Sequence, residues 1–263
     1  MICAGIDAGS RTVKAVIMDT NSNNIIAWAI TDQGIEQDKI AKTLFEKLLK
    51  ENHLKRKEVK RIAATGYGRD IVRLKKIADT TITEITCQAE GVRYFIPKAK
   101  TIIDIGGQDS KIIHLDDDGK VRDFAMNDRC AAGSGRFLEV IAERLKVKVA
   151  SLGKIAIKSK RPATISSMCV VFAETEIVGL LATGIPKQDI IAGIQNAIAA
   201  RIASLAGSSL DFPIVFTGGV ALVSGMAQVL KSTMNSKIEI CPDPQLTCAI
   251  GAAIIAGEKL KQI

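Results

Sequence analysis

Two stretches of the chain share one pattern of apolar and polar positions. In the first, Ile6-Asp7-Ala8-Gly9 leads into a polar turn that is followed by Ala15-Val16-Ile17-Met18. In the second, which begins 97 residues later, Ile103-Asp104-Ile105-Gly106 is followed by Ile112-Ile113-His114-Leu115. Short apolar runs separated by Asp and Gly are typical of two buried β-strands joined by a tight hairpin turn. The pattern therefore predicts the same strand–turn–strand unit twice.

The rest of the chain alternates between predicted helices and strands. The predicted elements are a helix over residues 39–51, a strand over Arg61–Thr65 with a Gly66-Tyr67-Gly68 turn, a long Ala- and Ile-rich helix over residues 188–206, a strand leading into Gly218-Gly219, and a final helix. This alternation predicts an α/β fold with mixed sheets. A repeat of about 100 residues is too long for a solenoid. It predicts two similar subdomains, residues 1–97 and 98–263, on either side of a cleft, with the C-terminal helix free to pack back on the first.

Each predicted turn carries groups that suit a phosphate chain. Glycine lets backbone N–H groups approach anionic oxygens, and Ser10 and Thr12 add hydroxyl donors. Asp7 and Asp104 do not attract phosphate, but a carboxylate can hold Mg²⁺ through water while the metal bridges phosphate oxygens. Two ordinary hairpins, with Asp and Gly present for turn chemistry, are the alternative at this point.

Two further segments contain small residues at which a ligand or a neighbouring element can approach closely. Ile214-Val215-Phe216-Thr217 is an apolar strand running into Gly218-Gly219, where the backbone can lie against a base or ribose. Ala249-Ile250-Gly251-Ala252-Ala253 is a predicted helix start. The order of the two Asp–Gly turns and these segments resembles the fold of actin, the sugar kinases and the heat-shock chaperone ATPases. That fold has two duplicated ribonuclease-H-like (actin-like ATPase) subdomains flanking a nucleotide cleft.

The resemblance implies a site for ATP or ADP with Mg²⁺. It implies phosphate or adenosine contacts from Gly9, Ser10, Arg11, Thr12, Gly106, Gly107, Gly218 and Gly219, and a weaker nucleotide contact from Gln245. Asp7 and Asp104 become the acids on the metal side, and Gln108 a candidate for orienting the attacking water. The chain has no GxxxxGK[ST] loop and no GxGxxG after a strand, which disfavours the competing nucleotide-binding folds.

Two of the six cysteines lie in segments that suit a metal centre. Cys130 precedes a Gly- and Ser-containing lead into a predicted helix, and Cys169 lies at the start of another predicted helix with a serine as candidate cap. The positive end of a helix dipole favours a thiolate. Two thiolates are half of what a [4Fe–4S] cluster requires, and a two-fold dimer supplies the other half. A disulfide, buried thiols and a redox dithiol remain open, and the other cysteines are predicted to be structural: Cys3, Cys87, Cys241 and Cys248.

The segments 127–137 and 165–174 are similar to hallmark segments of one family. This is the family of ATP-dependent activators of 2-hydroxyacyl-CoA dehydratases, with the related ATPase subunits of benzoyl-CoA reductases. The resemblance runs nearly end to end, and it implies that Cys130 and Cys169 of two subunits hold one [4Fe–4S] cluster across a homodimer. It also implies that the protein takes one electron from ferredoxin or flavodoxin and passes it, with ATP hydrolysis, to an iron–sulfur acceptor. The acceptor would be a dehydratase, a benzoyl-CoA-reductase-type protein or a double-cubane cluster protein.

The composition of the chain argues against nucleic-acid binding and against membrane association. The net charge of +8 raises nucleic-acid binding, but the basic runs at 55–57 and 158–161 have almost no aromatic residues among them to stack on bases. No apolar run reaches membrane length, and Met1 leads directly into a predicted strand, which predicts a cytoplasmic protein without membrane or nucleic-acid partners. Two other classes stay open: a small-molecule (sugar or acyl) kinase of the same fold without a cluster, and a non-catalytic actin- or chaperone-like module.

Overall fold

The computed structural model of the chain describes residues 1–166, 169–207 and 210–261. The strands are β1 (Ile2–Ala8), β2 (Thr12–Asp19), β3 (Asn24–Asp32), β4 (Arg61–Thr65), β5 (Thr80–Thr81), β6 (Thr101–Ile105), β7 (Ser110–Leu115), β8 (Val121–Asn127), β9 (Ile214–Thr217) and β10 (Ile238–Ile240). The helices are α1 (Gln37–Glu51), α2 (Arg69–Leu74), α3 (Glu84–Phe95), α4 (Gly135–Arg144), α5 (Leu152–Ala156), α6 (Val170–Ala182), α7 (Lys187–Ala206), α8 (Met226–Met234) and α9 (Thr247–Lys261). Short 3₁₀ turns lie between several of them.

The strands form two five-stranded sheets with the same order of strands. The first sheet runs β3-β2-β1-β4-β5 and the second runs β8-β7-β6-β9-β10. In each sheet a hairpin supplies an antiparallel pair, β1 with β2 or β6 with β7, and the strand that follows the helices, β4 or β9, joins in parallel. The predicted α/β fold with mixed sheets and a duplicated hairpin is therefore confirmed.

The contacts divide the chain into two units. The first unit contains residues 1–99, 115–121 and 245–263, and the second contains residues 100–114 and 122–244. The C-terminal helix α9 thus belongs to the first unit, although it comes last in the chain. Each unit contains one of the two Asp–Gly turns.

The first sheet is covered on both faces because residues along its strands alternate between two cores. Ala4, Ile6 and Ala8 of β1 pack with the apolar face of α1. Cys3 of β1 faces the other way and packs with α3 and α9. The packing of α9 on this face is very close, since a Cβ atom at Gly5 would overlap the carbonyl of Ala249. The predicted close packing at the start of the last helix is confirmed.

The core of the second unit forms around its own sheet and a long buried helix. Ile103 and Ile105 of β6 and Ile112 of β7 pack in one cluster with residues of α4 and α7. The helix α7 covers 20 residues, close to the predicted range, and both of its long faces contribute buried side chains. The core therefore fixes the position of β6, from which the second Asp–Gly turn projects.

Candidate functional site

The first Asp–Gly turn is held by a buried ion pair. Asp7 and Lys14 are register partners on β1 and β2, and Lys14 Nζ lies 2.9 Å from Asp7 Oδ2. Burial lowers the pKa of the Lys14 ammonium, but the charge of Asp7 and the hydrogen bond to it outweigh burial, so that the pKa is raised overall. The lysine therefore stays charged and fixes one oxygen of the Asp7 carboxylate.

The second turn repeats this arrangement with one more carboxylate. Asp104 and Lys111 are register partners on β6 and β7, and Lys111 Nζ lies 3.5 Å from Asp104 Oδ2. The same ammonium donates a hydrogen bond of 2.8 Å to Asp109. The Lys111 side chain is 2% exposed, compared with 15% for Lys14. The two lysines repeat at the same offset in the sequence, yet the pattern alone gave them no role.

Backbone hydrogen bonds give both turns the same shape. The Gly9 amide donates to the carbonyl of Thr12 at 3.1 Å, and the Gly106 amide donates to the carbonyl of Asp109 at 2.9 Å. The first turn is tied down further by Gln33, whose Nε2 donates to the Gly9 carbonyl at 2.8 Å. Gln33, the residue directly after β3, lies outside the repeated pattern and was not predicted.

Two glycines that follow parallel strands lie against the two acidic residues. Gly66 comes directly after β4 and has a φ of +84°, and Gly218 comes directly after β9 and has a φ of +87°. A Cβ atom at Gly66 would lie 2.5 Å from Asp7 Oδ1, and one at Gly218 would lie 2.5 Å from Asp104 Oδ1. Both positions therefore require glycine, for backbone conformation and for space. The sequence predicted Gly218 as a contact for the adenosine and Gly66 only as part of a turn, so the contact of each glycine with a carboxylate was not predicted.

The other predicted nucleotide residues lie in or beside these segments. Ser10 and Arg11 are in the turn between β1 and β2, and Arg11 pairs with Asp32 at 3.2 Å. Gln108 is exposed in the turn between β6 and β7. Gln245 is half-buried, two residues before α9. The remaining ones are Thr12 at the start of β2, Gly107 in the second turn and Gly219 at the start of a 3₁₀ turn.

The segment that carries Cys130 is bonded to the second turn. The amides of Gly135 and Arg136, at the start of α4, donate to the carbonyls of Gly106 and Gly107 at 2.9 and 2.8 Å. The side chain of Asn127 accepts from the Cys130 amide at 3.1 Å and donates to the Cys130 carbonyl at 2.8 Å. Cys130 is half-buried at the N-cap of a three-residue 3₁₀ turn, and α4 begins five residues later. Cys130 therefore lies ahead of α4, as predicted, with the 3₁₀ turn between them; so short a turn adds no appreciable dipole of its own, and the influence of the α4 dipole on Cys130 stays a prediction.

Cys169 lies at the start of a long helix. It is the N-cap residue of α6, a helix of 13 residues, and it is exposed. The predicted serine cap is wrong among the described residues, because the Ser166 hydroxyl donates instead to Glu176 at 2.7 Å; Ser167 lies outside the described residues. Cys169 is therefore itself the residue at the positive end of this helix.

The other four cysteines are buried, as expected for structural residues. Burial raises the pKa of the Cys87 and Cys241 thiols to about 12, and it also raises the pKa of Cys3. Cys248 donates to the Gln88 side chain at 2.7 Å. Cys130 and Cys169 are the two cysteines that are not buried; Cys130 is half-buried beside the core and Cys169 is exposed. In the described ranges no three His, Cys, Asp or Glu side chains are grouped to hold a metal ion within one chain.

No helix among the described residues is both long and apolar enough to cross a membrane.

Known proteins match the chain from end to end. The BadF/BadG/BcrA/BcrD ATPase family matches residues 4–256. The 2-hydroxyisocaproyl-CoA dehydratase activator of Clostridioides difficile is 40% identical over 263 residues, which are 100% of this chain and 97% of that protein. Among solved structures, component A of the Acidaminococcus fermentans (R)-2-hydroxyglutaryl-CoA dehydratase has a TM-score of 0.93 at 38% identity and covers 99% of both chains. The Clostridium difficile activator with bound ADPNP has a TM-score of 0.92 at 39% identity, covering 100% of this chain and 98% of that one. The Asp–Gly hairpin occurs twice in the chain, and the family matches almost the whole of its length. The chain therefore belongs to the BadF/BadG/BcrA/BcrD ATPase family.

Proposed function

We propose that the protein is an ATP-hydrolysing electron donor that activates an iron–sulfur acceptor protein. The observation that carries the proposal is the direct bonding of the second Asp–Gly turn to the helix start behind Cys130. The relatives support it, since they include the 2-hydroxyisocaproyl-CoA dehydratase activator and the (R)-2-hydroxyglutaryl-CoA dehydratase activating ATPase. One chain thus combines groups for a nucleotide with two cysteines that are not buried.

The nucleotide part of the proposal assigns ATP or ADP with Mg²⁺ to the two turns. Asp7 and Asp104 serve the metal side, each oriented by its lysine, and Gln108 is exposed where it can orient a water molecule for attack on the terminal phosphate. Gly218 and Gly219 contact the adenosine, and Gln245 is a further nucleotide contact. Backbone and hydroxyl groups of the two turns bind the phosphates; these residues are Gly9, Ser10, Arg11, Thr12, Gly106 and Gly107. The relative with bound ADPNP supports this assignment.

The cysteine part of the proposal assigns Cys130 and Cys169 to a [4Fe–4S] cluster. The donor set fits such a group: each chain has two cysteines that are not buried, and one of them stands at the N-cap position of a 13-residue helix, whose positive end stabilises an anionic centre. The Asn127 side chain hydrogen-bonds both the amide and the carbonyl of Cys130, which fixes the backbone from which the Cys130 side chain projects. A [4Fe–4S] cluster held there supplies one-electron storage at low potential.

Because each chain offers two cysteines, the cluster requires a second copy of the chain, and we propose a homodimer with α6 at its two-fold axis. The first turns of α6 expose Val171 and Phe172, which are 68% and 69% exposed, and Val178 lies seven residues after Val171 on the same face. Exposed large apolar side chains clustered beside a functional residue are typical of an interface. Burying them on a twin helix would also exclude water from the sulfur atoms.

The electron enters from ferredoxin or flavodoxin and leaves to an acceptor of the dehydratase type. The named relatives support an acceptor of this class. A further relative, one of the subunits of the benzoyl-CoA reductase of Thauera aromatica, keeps a benzoyl-CoA-reductase-type or double-cubane cluster acceptor within the proposal. In this scheme the cytoplasmic protein couples nucleotide hydrolysis to the environment of the paired cysteines. The acceptor's own substrate does not contact this chain.

The test is the iron and sulfide content of anaerobically purified protein, measured together with its oligomeric state. We expect about four irons per two chains. Cys130→Ala and Cys169→Ala should each lose the iron and the electron transfer while keeping nucleotide binding. Cys241→Ala, which removes a buried thiol, is the matched control and should keep the iron. Wild-type protein that stays iron-free after anaerobic reconstitution, yet hydrolyses ATP, would refute the electron-transfer function and favour a kinase.

A further inference from the structure

The duplication extends beyond the two hairpins to the ends of the parallel strands. Thr65 is the last residue of β4 and the register partner of Asp7, and Thr217 is the last residue of β9 and the register partner of Asp104. Each threonine is followed by the glycine that lies against the carboxylate. Thr65 and Thr217 are therefore equivalent positions in the two units.

The two threonines differ in how their hydroxyl groups are bonded. Thr217 Oγ1 donates a hydrogen bond of 2.8 Å to the carbonyl of Pro244. Thr65 is completely buried, and its Oγ1 has no hydrogen-bond partner among the described residues. Burial raises the pKa of the neighbouring Cys87 thiol to about 12 and the Thr65 hydroxyl lowers it, so the two groups lie close together, but sulfur is only a weak hydrogen-bond partner. A buried hydroxyl without a partner costs stability, so its retention calls for an explanation.

The neighbouring carboxylate shows the same asymmetry. Asp7 Oδ2 is bound by Lys14, whereas the buried Asp7 Oδ1 has no hydrogen-bond partner among the described residues. The first unit thus has two unsatisfied oxygen atoms on adjacent strands. Register partners on parallel strands lie about 4.8 Å apart and project from the same face of the sheet. The two oxygens therefore belong to one patch.

The groups next to Asp7 Oδ1 in the two neighbouring loops are glycines. Gly66 lies against Asp7 Oδ1, and a Cβ atom at Gly9 would lie 3.6 Å from the same oxygen. Both neighbours lack a side chain, so the buried oxygen is covered from these loops by backbone alone. A carboxylate oxygen that accepts hydrogen bonds and a hydroxyl that can accept or donate one match the water molecules around a hard divalent cation.

We propose that Thr65 is a further residue of the nucleotide site and that its hydroxyl, together with Asp7 Oδ1, binds water molecules of the hydrated Mg²⁺ that accompanies the nucleotide. This inference rests on the proposed nucleotide binding. It assigns the metal to the first unit, because the equivalent hydroxyl of the second unit is already occupied by Pro244. Thr65 is a positioning residue in this scheme, since it acts on the metal through water.

The experiment compares Thr65→Val, which removes the hydroxyl at nearly constant shape, with Thr65→Ser, which keeps it. The dissociation constant for ADP is measured by calorimetry on the full chain, with Mg²⁺ and with a chelator. We expect Thr65→Val to raise the constant about tenfold with Mg²⁺, as for loss of one hydrogen bond to a charged group, and to leave it unchanged with the chelator. Thr65→Ser should remain close to wild type in both conditions.

Thermal unfolding without nucleotide should change in the opposite direction from nucleotide binding: Thr65→Val should weaken binding but stabilise the free protein. Thr65→Val removes an unsatisfied hydroxyl, so its unfolding temperature should rise by about 2–4 °C, whereas Thr217→Val, the matched control, breaks a hydrogen bond and should lower it. A Thr65→Val protein that binds Mg²⁺·ADP as tightly as wild type, or that weakens equally with the chelator, would overturn the inference alone. Wild-type protein that binds no ADP would instead refute the proposed nucleotide function.

Discussion

The amide of Gly135 donates a hydrogen bond of 2.9 Å to the carbonyl of Gly106. This bond joins the first residue of α4 to the second Asp–Gly turn, and the neighbouring bond from Arg136 to Gly107 repeats the link at 2.8 Å. The first amides of a helix have no partner within the helix, so a loop that accepts from them is fixed to the helix end. We therefore expect a displacement of the turn to reach the segment that leads from Cys130 into α4.

Gly135→Ala tests this link. A Cβ atom at Gly135 would lie 3.1 Å from the Gly106 carbonyl and 3.4 Å from Val220 Cγ2, closer than the neighbouring backbone allows without a shift. We expect the free energy of unfolding to fall by about 1–2 kcal/mol, as for mild overpacking, and the affinity for ATP to fall several-fold. Denaturant unfolding and nucleotide titration measure the two effects.

The control for this variant is Gly34→Ala, at an exposed glycine whose added methyl would meet only the flexible end of Ile40. It should leave both quantities near wild type. Alanine is also a better helix former than glycine at the start of α4. A Gly135→Ala protein that is more stable than wild type, with unchanged ATP affinity, would therefore show that the turn does not depend on its contact with the helix.

Lys111→Met and Lys14→Met compare the two buried ammonium groups. Lys111 compensates two buried carboxylates, Asp104 and Asp109, and its side chain is almost completely buried. Its removal takes the shared counter-ion from two buried carboxylates, which costs about 3–5 kcal/mol of the free energy of unfolding. Lys14→Met should cost less, because Lys14 faces one carboxylate and retains some exposure.

Urea unfolding of the two variants and of the Lys111→Met/Asp109→Asn double variant measures the difference. Since the double variant removes one of the uncompensated charges, it should recover part of the loss. The prediction fails if Lys111→Met is no more destabilised than Lys14→Met.

The hairpins were predictable because their chemistry recurs at a constant offset. Asp7 and Asp104 lie 97 residues apart, and the glycine and lysine of each hairpin keep that spacing. The threonines at the ends of the parallel strands do not keep a constant distance from the aspartates. Thr65 lies 58 residues after Asp7, whereas Thr217 lies 113 residues after Asp104. The helices α4–α7 are inserted between β8 and β9 and account for the difference. Each Thr-Gly pair at the end of an apolar strand could be seen in the sequence. That the two pairs occupy equivalent positions could be recognised only from the register of the strands in the two sheets.

The environments of the two accessible cysteines were only partly predictable. Glycine and serine before an apolar periodic segment indicate a helix start, and this correctly located the segments of Cys130 and Cys169. Which residue caps each helix depends on tertiary partners that the sequence does not reveal. The Ser166 hydroxyl bonds to Glu176, and Asn127 binds the backbone at Cys130, so that each cysteine is itself the N-cap of the turn or helix that follows it.

The buried thiols predict a loss of stability at alkaline pH. The pKa of Cys87 and of Cys241 is raised by burial to about 12, compared with about 8.5 in an unfolded chain. Above about pH 8.5 the unfolded chain releases these protons while the folded chain keeps them, so the free energy of unfolding should fall as the pH rises toward 12. The raised pKa of Lys14 acts in the same direction.

Guanidinium unfolding at pH 8, 9.5 and 11, on aerobically purified apoprotein, measures this slope. Cys87→Ala removes one of the contributing groups and should give a shallower decline than wild type, even though the lost methyl-sized volume lowers its stability at pH 8. Constant stability up to pH 11 would contradict the assignment of these thiols as buried and protonated.

Phe172→Asp tests the exposed face of α6 as the contact between two copies of the chain. Phe172 is 69% exposed and lies three residues after the helix cap Cys169, so the substitution should cost the isolated chain little. In a two-fold contact around α6, the same change places two carboxylates opposite one another and should convert the dimer to a monomer, measured by light scattering at several concentrations. Phe212→Asp, at an aromatic residue that is 58% exposed in the segment between α7 and β9, is the matched control and should leave the oligomeric state unchanged.

The iron content of Phe172→Asp provides a second readout. If the paired cysteines depend on this contact, Phe172→Asp also loses iron while Cys130 and Cys169 are intact. A dimeric, iron-containing Phe172→Asp protein would place the contact elsewhere.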